Sequence, residues 1–448
     1  MKSHIFREYD IRGLVPDDLD EEMVSLLGLA TGTYYHKKGA KRISIGRDCR
    51  LSSPDLLKWL LKGLMESGME IVDLGMVPTP LLYFSLHQLE VDGGIQITGS
   101  HNPPEFNGFK ICLDKASIYG KEIQKISEII ESGDFNRGQG KLDTSNMVDP
   151  YLHYLKKNIR PGPFKRTVVV DAGNGAGGPV ACDAYGRMGF DVIPLFCEPD
   201  GRFPNHHPDP TIPKNLETLI SKVAESSADL GIAFDGDADR IGVVDQEGRI
   251  VWGDQLMIIF SRDLLSRHPG GKIIGEVKCS QVLYDDIQKH GGQPIMWKAG
   301  HSLIKSKMKE EGALLAGEMS GHLFFAERYF GYDDAIYAGA RLLEILSQTK
   351  KSIKALLSGI PKMVNTPEIR MDCPDNKKFQ VVAELVEEFK KDYEVIDVDG
   401  ARVLLDGGWG LVRASNTQPV LVLRFEAKDK NSLEKIRKIF MDKLKRHV

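Results

Sequence analysis

The chain has 448 residues, 42% of them hydrophobic, and this length and composition predict about three globular domains with well-formed cores. Its 59 lysines and arginines against 63 aspartates and glutamates give a net charge of -4, which excludes a global basic field for nucleic acid or an anionic membrane. The six cysteines include no Cys-x-x-Cys pair, and the sequence has no apolar signal-peptide core and no membrane-length apolar run. We therefore expect a soluble cytoplasmic protein with reduced thiols.

Three stretches of the chain share one order of elements: strand, loop, amphipathic helix, glycine and a second apolar strand. The first strands are RISIGRD, TVVVD and KIIGEV, and the helices are PDLLKWLLKGLMES, a helix over Cys182–Arg187 and a helix over Gln281–Lys289. Strands that alternate with helices of this length favour parallel or mixed sheets covered on both faces. The pattern predicts three related α/β units.

In the first unit, the segment GGIQITGSHNPPEFNGFK places Ser100 directly after a short apolar run. The run IQI alternates as in a half-buried strand, and the Pro-Pro pair restricts the residue before it to extended geometry. We expect Ser100 on a tight loop beyond the strand end, with its hydroxyl facing a cleft. For the tripeptide Thr98-Gly99-Ser100 taken alone, an ordinary capping or turn serine is the alternative.

The second unit contains a glycine-rich turn, DAGNGAGG, after its first strand. Gly173, Gly175 and Gly178 follow the Gly-x-Gly-x-x-Gly order, and Glu198 stands at the distance where a ribose-binding acid is found. However, the next strand runs into a long proline-rich loop that breaks the βαβ continuation of a dinucleotide-binding half. A structural βα turn is therefore favoured over a dinucleotide site.

Further along, the segment AFDGDADRIGVVD carries Asp235, Asp237 and Asp239 at a spacing of two. In an extended segment these side chains lie on one face, so three carboxylates would be aimed at one point and would require a cation. An all-oxygen site favours Mg²⁺ over Zn²⁺. Arg240 and Gln246 occupy the positions where an EF-hand loop needs glycine and glutamate, which excludes that loop. A solvated acidic turn is the remaining alternative.

The third unit carries GEMSGH, in which Glu318, Ser320 and His322 alternate between glycines. An acceptor, a hydroxyl and an imidazole on one side of a loop suit the hydroxyls of a sugar, and a chance polar loop is the alternative. Lys278 and His301 each follow an apolar strand and would face the same cleft, although ordinary surface positions are equally expected.

The helical pattern breaks between residues 352 and 370, which predicts a linker to a smaller α+β domain. We place the four domains at 1–147, 148–249, 250–361 and 362–448, around a central cleft. In the last domain the turn RASNTQP combines a guanidinium fork with hydroxyl and amide groups, the composition of a phosphate-binding loop. The residues of this loop are Arg413, Ser415, Asn416 and Thr417.

Taken together, FREYDIRG, TGSHNPPEFNGFK, DGDADR, GEMSGH and RASNTQP, in this order, resemble the α-D-phosphohexomutase family, most closely its bacterial phosphomannomutase/phosphoglucomutase branch. The resemblance spans essentially the whole chain, and five motifs in register are far more specific than any one. Gly99 replaces the alanine that usually precedes the serine. The resemblance implies three α/β domains with mixed sheets, a smaller C-terminal domain, and an enzyme that interconverts hexose 1-phosphates and hexose 6-phosphates.

The resemblance also implies that Ser100 is carried as a phosphoserine. Its phosphoryl oxygen would complete a site for one Mg²⁺ per chain with Asp235, Asp237 and Asp239. The phosphoryl group would pass to the free hydroxyl of a hexose phosphate, the resulting hexose 1,6-bisphosphate would turn over, and its other phosphate would return to the serine. The same bisphosphate would serve as activator.

Other residues of the motifs take roles under this resemblance. Lys110, Arg240 and Arg12 would stabilise charge on the transferring group. The acid and base are left open among His322, Lys110 and His101. The implied substrate-binding residues are Tyr9, Lys278, His301, Glu318, Ser320, His322, Arg413, Ser415, Asn416 and Thr417.

Three alternatives stay open on the sequence: a phosphoglucosamine mutase, a sugar-phosphate phosphatase on the same fold, and a sugar-phosphate sensor without catalysis. Met319 favours the hexose branch, because glucosamine enzymes usually carry glutamine there. The expected partners are small sugar phosphates, without nucleic acid or membrane, and the expected state is a monomer or weak dimer. Mannose and glucose phosphates are both predicted substrates.

Overall fold

The structure is a computed structural model that describes residues 2–416 and 418–447, so the predicted phosphate-binding residue Thr417 lies outside the described residues. The chain divides into two compact units. One runs up to Leu256 and includes Ser320–Leu356, and the other consists of Met257–Met319 and the chain from Leu357 onward. The predicted fold class, α/β with mixed sheets and a C-terminal α+β domain, is confirmed.

The first sheet belongs to the N-terminal part of the first unit. Its elements are β1 (Ile11–Leu14), α1 (Glu21–Lys37), β2 (Arg42–Arg47), α2 (Ser53–Glu66), β3 (Glu70–Met76), α3 (Thr79–Gln88), β4 (Gly93–Ile97), β5 (Phe106–Leu113), β6 (Ala116–Ser117), α4 (Lys121–Ser132) and β7 (Lys141–Thr144). The strand order is β1-β5-β4-β2-β3-β7, with β6 paired to β5. Strand β4 pairs in parallel with β2 and antiparallel with β5, which makes the sheet mixed.

Strand β4, which precedes the Ser100 loop, is fully buried, so the prediction of a half-buried strand was wrong. The polar residue that produced the apparent alternation, Gln96, is itself buried. Its side-chain amide donates to the carbonyl of Val77 at 2.9 Å. A polar side chain whose amide group is hydrogen-bonded can occupy a central strand, and alternation alone does not distinguish it from a solvent-facing one.

Helices α1 and α2 cross closely because each has a glycine at the contact. A Cβ atom on Gly28 would lie 2.3 Å from the carbonyl oxygen of Leu60, and one on Gly63 would lie 1.9 Å from that of Ser25. Helix α1 begins with Asp20, whose side chain accepts from the amide of Met23. This pair of helices covers one face of the sheet that carries Ser100.

The second sheet also belongs to the first unit. Its elements are α5 (Val148–Asn158), β8 (Thr167–Asp171), α6 (Gly178–Arg187), β9 (Asp191–Leu195), α7 (Glu217–Ser226), β10 (Leu230–Phe234), β11 (Ile241–Asp245) and β12 (Ile250–Val251). The strand order is β12-β11-β10-β8-β9. Strand β10 pairs in parallel with β8 and antiparallel with β11, and this antiparallel pair contains the acidic loop at its turn.

The chain then passes through the second unit and returns. Helix α8 (Gly253–Arg267) leads to β13 (Lys272–Glu276), α9 (Gln281–Lys289), β14 (Gln293–Trp297), α10 (His301–Glu311) and β15 (Leu315–Gly317). Strand β13 pairs in parallel with β14 and with β15. The returning segment forms β16 (Leu323–Phe325), α11 (Ala335–Ser347) and α12 (Ile353–Leu356). Helix α11 packs on α6, where the Tyr185 hydroxyl donates to the carbonyl of Ile336 at 3.0 Å.

The C-terminal domain lies in the second unit. It contains β17 (Val364–Asn365), β18 (Ile369–Asp372), α13 (Asp375–Phe389), β19 (Glu394–Ile396), β20 (Ala401–Leu405), β21 (Gly408–Ala414), β22 (Val420–Ala427) and α14 (Lys430–Leu444). Buried Arg402 donates to the carbonyls of Val277 and Cys279 and lies 3.7 Å from the ring of Trp409. The predicted linker contains the short helix α12, the strand β17 and the start of β18. The C-terminal domain contacts the residues that follow β13 through Arg402.

Among the described helices, none combines the length and apolar character needed to cross a lipid bilayer.

Candidate functional site

Ser100 lies on the predicted loop after β4, with a backbone φ of 48° and a side chain that is almost completely buried. This left-handed conformation is unusual for a residue with a Cβ atom. Its amide donates to the hydroxyl of Thr98 at 2.8 Å, and its own hydroxyl donates to Asp235 Oδ2 at 2.7 Å. The loop thus aims the serine oxygen at the acidic segment rather than at open solvent.

The three aspartates of DGDADR converge, but not through the extended geometry expected from their spacing. They form the turn of the β10–β11 hairpin, in which the amide of Ala238 donates to the carbonyl of Asp235 at 3.1 Å. A hairpin connection requires a tight turn, and Ala238 adopts a φ of 57° to make it. One carboxylate oxygen from each of Asp235, Asp237 and Asp239 lies within 4.8 Å of the others.

The acidic cluster has the properties of a cation site. The Oδ1 atoms of Asp237 and Asp239 are buried and, within residues 2–416 and 418–447, have no hydrogen-bond partner. Burial, Asp239 and Asp237 together raise the pKa of Asp235 well above its ordinary value. Unpartnered buried carboxylate oxygens are costly, and a hard divalent cation such as Mg²⁺ satisfies them. The residues present therefore fit the metal that the sequence predicted.

Lys110, on β5, supplies positive charge to this cluster. Its ammonium group lies 2.6 Å from Asp237 Oδ2 and also contacts Asp239. Burial alone would lower the pKa of Lys110, but Asp237 and Asp239 raise it. Lys110 therefore stays charged beside the carboxylates and the serine loop.

The glycine-rich turn DAGNGAGG packs directly behind the acidic loop. The amide of Ala176 donates to the carbonyl of Gly236 at 3.0 Å. A Cβ on Gly175 would lie 2.7 Å from that carbonyl oxygen, and one on Gly177 would lie 2.5 Å from the Cβ of Ala238. The glycines let two loops approach closely, which agrees with a structural βα turn.

Two predicted basic residues and two histidines lie around Ser100 and the acidic loop. Arg240 Nε donates to His322 Nε2 at 3.0 Å, and Arg12 donates to the side chain of Asn102 at 2.6 Å. His101 Nδ1 lies 3.1 Å from Ser100 Oγ. Burial, Arg240 and Arg12 hold the pKa of His101 well below its usual range, so its imidazole is neutral at physiological pH.

The first unit also holds Tyr9 and Ser320. Tyr9 is half-buried on the segment before β1, and Ser320 is half-buried two residues before His322. His322 Nδ1 lies 3.2 Å from Asp333 Oδ2. Asp333 was missed by sequence reasoning, although the pair of aspartates before α11 is a visible signal, since the second of them caps that helix.

In the second unit, Lys278 and Glu318 belong to a group of charged side chains. Lys278 pairs with Glu368 at 3.4 Å. Burial would lower the pKa of Lys278, but Glu276 and Glu368 raise it. Glu318 Oε1 accepts from the amide of Gly300 at 2.7 Å, immediately before His301, the first residue of α10. Glu276 was missed because a single acid at the end of a strand carries no distinctive pattern.

The predicted phosphate-binding loop connects β21 and β22 in the second unit. Arg413 is buried at the end of β21 and pairs with Asp399 at 2.9 Å. The hydroxyl of Ser415 accepts from the amide of Gln418 at 3.2 Å, and Asn416 is half-buried beside it. The guanidinium at the end of β21 and the hydroxyl and amide of the loop after it thus lie within four residues of the chain.

Comparison with known proteins covers the chain in four consecutive parts. Four family profiles match, described as phosphoglucomutase/phosphomannomutase alpha/beta/alpha domains I, II and III and the C-terminal domain, over residues 3–137, 149–248, 252–363 and 368–443. The phosphomannomutase/phosphoglucomutase of Pseudomonas aeruginosa is 48% identical over 99% of this chain and 96% of its own length. The chain belongs to the phosphoglucomutase/phosphomannomutase family.

Other members of this family extend the comparison. A phosphoglucomutase of Neisseria meningitidis is 45% identical over 97% of this chain and 95% of its own. The crystal structure of a phosphoglucomutase/phosphomannomutase family protein from Burkholderia thailandensis has a TM-score of 0.93, at 42% identity, and covers 99% of this chain and 98% of its own. The four-domain architecture is therefore that of the family.

Proposed function

We propose that this protein is a phosphohexomutase that interconverts hexose 1-phosphates and hexose 6-phosphates, with mannose and glucose phosphates as substrates. Family membership over the whole chain and the names of its relatives support a hexose-phosphate mutase. The observation that carries the mechanism is the 2.7 Å contact between Ser100 Oγ and Asp235 Oδ2, inside a cluster of three buried carboxylates. A serine held against a cation site is suited to storing and releasing a phosphoryl group.

In the proposed cycle Ser100 carries the phosphoryl group. A free hydroxyl of the bound hexose phosphate attacks phosphorus, the bond between phosphorus and Ser100 Oγ breaks, and a hexose 1,6-bisphosphate forms. The hydroxyl proton passes to the seryl oxygen, and neutral His101, 3.1 Å from that oxygen, would relay it. After the sugar turns over, its other phosphate returns to Ser100 and the isomeric monophosphate leaves.

Negative charge on the transferring phosphoryl group would be stabilised by cationic residues of the first unit. Lys110 lies against Asp237 and Asp239, and Arg240 is oriented by its bond to His322. Arg12 is oriented by Asn102 in the serine loop. Mg²⁺, held by Asp235, Asp237, Asp239 and a phosphoryl oxygen of Ser100, would withdraw charge from the reacting oxygens. Fixed positive groups of this kind act mainly on the transition state.

The residues of the second unit would bind the rest of the substrate. Arg413, Ser415 and Asn416 offer charged and neutral donors for the phosphate that is not reacting. Glu318 offers carboxylate oxygens and Ser320 a hydroxyl for sugar hydroxyls, and Lys278, His301 and Tyr9 would add further contacts. Because each isomer would present its free hydroxyl to phosphoserine 100 and its single phosphate to the anchor, one anchor must accept both the 1-phosphate and the 6-phosphate.

The function is tested by supplying mannose 1-phosphate, glucose 1-phosphate and glucosamine 1-phosphate in parallel, with Mg²⁺ and a trace of glucose 1,6-bisphosphate. Phosphorus NMR should show hexose 6-phosphate without free phosphate from the first two. Free phosphate alone would identify a phosphatase, and turnover of the amino sugar alone would identify a glucosamine mutase. Ser100→Ala should abolish turnover, whereas Ser132→Ala, at the end of α4, should not.

The anchor is tested separately with Arg413→Lys, which keeps the charge but removes the planar fork. We expect KM to rise by about tenfold for both the 1-phosphate and the 6-phosphate, since one lost bidentate contact is worth one to two kcal/mol. Arg437→Lys on α14 is the control. A rise for only one of the two isomers would refute a shared anchor.

A further inference from the structure

Arg50 is a buried arginine just after β2 to which the proposed reaction assigns no role. Its side chain is fully enclosed, with a relative exposure of 1%. Buried arginines are rare in folded proteins unless their donors are paired. The groups that accept hydrogen bonds from Arg50 therefore indicate its structural role.

The guanidinium of Arg50 donates to four backbone carbonyls, three in the loop that carries Ser100 and one at Phe106, where β5 begins. Nη2 donates to the carbonyl of Ser100 at 2.8 Å and to that of Asn102 at 2.6 Å. Nη1 donates to the carbonyl of Pro103 at 2.6 Å and to that of Phe106 at 2.9 Å. One planar group thus fixes four points of a seven-residue segment.

Asp48 holds the other end of the same loop. Its Oδ2 accepts from the Thr98 hydroxyl at 2.8 Å and from the Gly99 amide at 3.2 Å. The Thr98 hydroxyl in turn accepts from the amide of Ser100 at 2.8 Å. Asp48 is also 3.3 Å from Arg50 Nε, so the two side chains form one buried ion pair.

The loop has a reason to need this support. Ser100 is in the left-handed region, which a residue with a side chain occupies only when its surroundings impose it. The carbonyl of Ser100 points to Arg50 while its hydroxyl points to Asp235, so the bonds on one side of the residue determine the direction of the other. Any rotation of the peptide would move the reacting oxygen.

The second sheet's domain closes the opposite side of Arg50. The ring of Phe203 lies 5.2 Å from the guanidinium. A Cβ on Gly201 would lie 2.4 Å from the carbonyl oxygen of Cys49, so the two backbone segments are in direct contact there. Arg50 therefore sits between the serine loop and the domain that supplies the acidic loop.

We propose that Arg50, paired with Asp48, is a positioning residue that holds the backbone of the Ser100 loop in its strained conformation. It thereby fixes the orientation of the Ser100 oxygen from which the phosphoryl group is transferred. This inference rests on the proposed function, because it assigns the loop's rigidity to that reaction. A lysine cannot replace Arg50, since one ammonium group cannot reach four carbonyls in the geometry of a planar fork.

The test uses the full-length Arg50→Lys variant, which keeps the charge and most of the side-chain volume. Its control is Arg341→Lys, at an equally buried arginine of α11 that pairs with Glu327 and lies outside the site. Two quantities are measured: steady-state kcat and KM, and amide hydrogen exchange of peptides covering residues 98–107. Loop exchange is read without substrate, so it is informative even if the protein does not interconvert hexose phosphates.

For Arg50→Lys we expect kcat to fall by about 10- to 100-fold, with KM within about threefold, as for a small misplacement of a reacting atom. Exchange of the loop amides should accelerate, and in Arg341→Lys both quantities should stay at the wild-type value. Wild-type kcat in Arg50→Lys, or a loss of kcat with unchanged loop exchange, would overturn the proposal. An inactive wild type would refute the proposed function instead.

If Arg50→Lys does not fold, Thr98→Val provides the same test with a smaller change. It removes only the hydroxyl that links Asp48 to the amide of Ser100. The proposal requires faster loop exchange together with a several-fold lower kcat. Unchanged values of both would contradict it.

Discussion

Ser100 Oγ and Asp235 Oδ2 lie 2.7 Å apart, although 135 residues separate them in the chain. The contact joins the loop after β4 to the hairpin turn after β10. It is possible because Gly236 has no side chain: a Cβ there would lie 2.5 Å from the carbonyl oxygen of Ser100. The serine and the acidic cluster therefore form one site within the first unit.

Removal of the cation should stop turnover. Chelation with EDTA removes a divalent counter-charge from three buried carboxylates and removes charge stabilisation from the reacting oxygens. Asp235→Asn should lower kcat by about 10²-fold or more for the same reason. Asp183→Asn, at an exposed residue of α6, is the matched control. Full activity in EDTA, restored by no added metal, would contradict a metal-dependent site.

Replacement of Lys110 should destabilise the protein in a way that depends on the cation. Lys110→Met removes the buried partner of Asp237 and Asp239, and breaking a buried ion pair costs about 3 to 5 kcal/mol of unfolding free energy. Added Mg²⁺ should recover part of this loss, because it neutralises the same carboxylates. Chemical denaturation with and without Mg²⁺ measures both values, and Lys125→Met, on the exposed face of α4, is the control. An equal loss in the two conditions would show that the carboxylates do not bind the ion.

The crossing of α1 and α2 should be sensitive to a single methyl group. Gly63→Ala would place a Cβ 1.9 Å from the Ser25 carbonyl oxygen, and overpacking of this kind costs about 1 to 3 kcal/mol. Gly186→Ala in α6 is the opposite case, because among residues 2–416 and 418–447 nothing beyond its chain neighbours and the backbone of its own helix lies within 4 Å of the new Cβ. There the better helix propensity of alanine should stabilise the protein by up to about 1 kcal/mol. Thermal unfolding of both variants would show shifts of opposite sign if the crossing is as described.

Asp334 should make stability depend on pH. Burial raises the pKa of Asp334 to about 6, even though the hydroxyls of Tyr329 and Tyr151 donate to it. A carboxyl whose pKa is raised in the folded state contributes stability at low pH, and this contribution is lost as pH rises through the folded-state value. The free energy of unfolding of the wild type relative to Asp334→Asn should therefore fall by roughly 2 to 3 kcal/mol between about pH 4 and about pH 7.

The control for this measurement is Asp134→Asn, at an exposed carboxylate, which should show no such trend. If the difference in the free energy of unfolding between wild type and Asp334→Asn is the same at both pH values, folding does not raise the pKa of Asp334.

Local patterns in the sequence determined where most of the strands and helices named in the sequence analysis lie. Apolar runs located β2, β8 and β13, and amphipathic periods located α2, α6 and α9. Helix α1 has no such one-sided pattern, since most of its residues are buried, and it was not predicted. The position of Ser100 on a turn followed from the residues around it, because turn chemistry is local.

Only the tertiary structure decided which groups meet. The spacing of Asp235, Asp237 and Asp239 indicated a cation site, but the hairpin that brings them together depends on the pairing of β10 with β11. Nothing local to Arg50 indicates that it bonds four carbonyls fifty residues away. Hydrogen bonds and ion pairs between distant segments depend on how sheets and helices pack, and periodicity carries no information about such partners. The sequence by itself therefore determined the elements and the chemical groups, and packing decided the geometry in which they act.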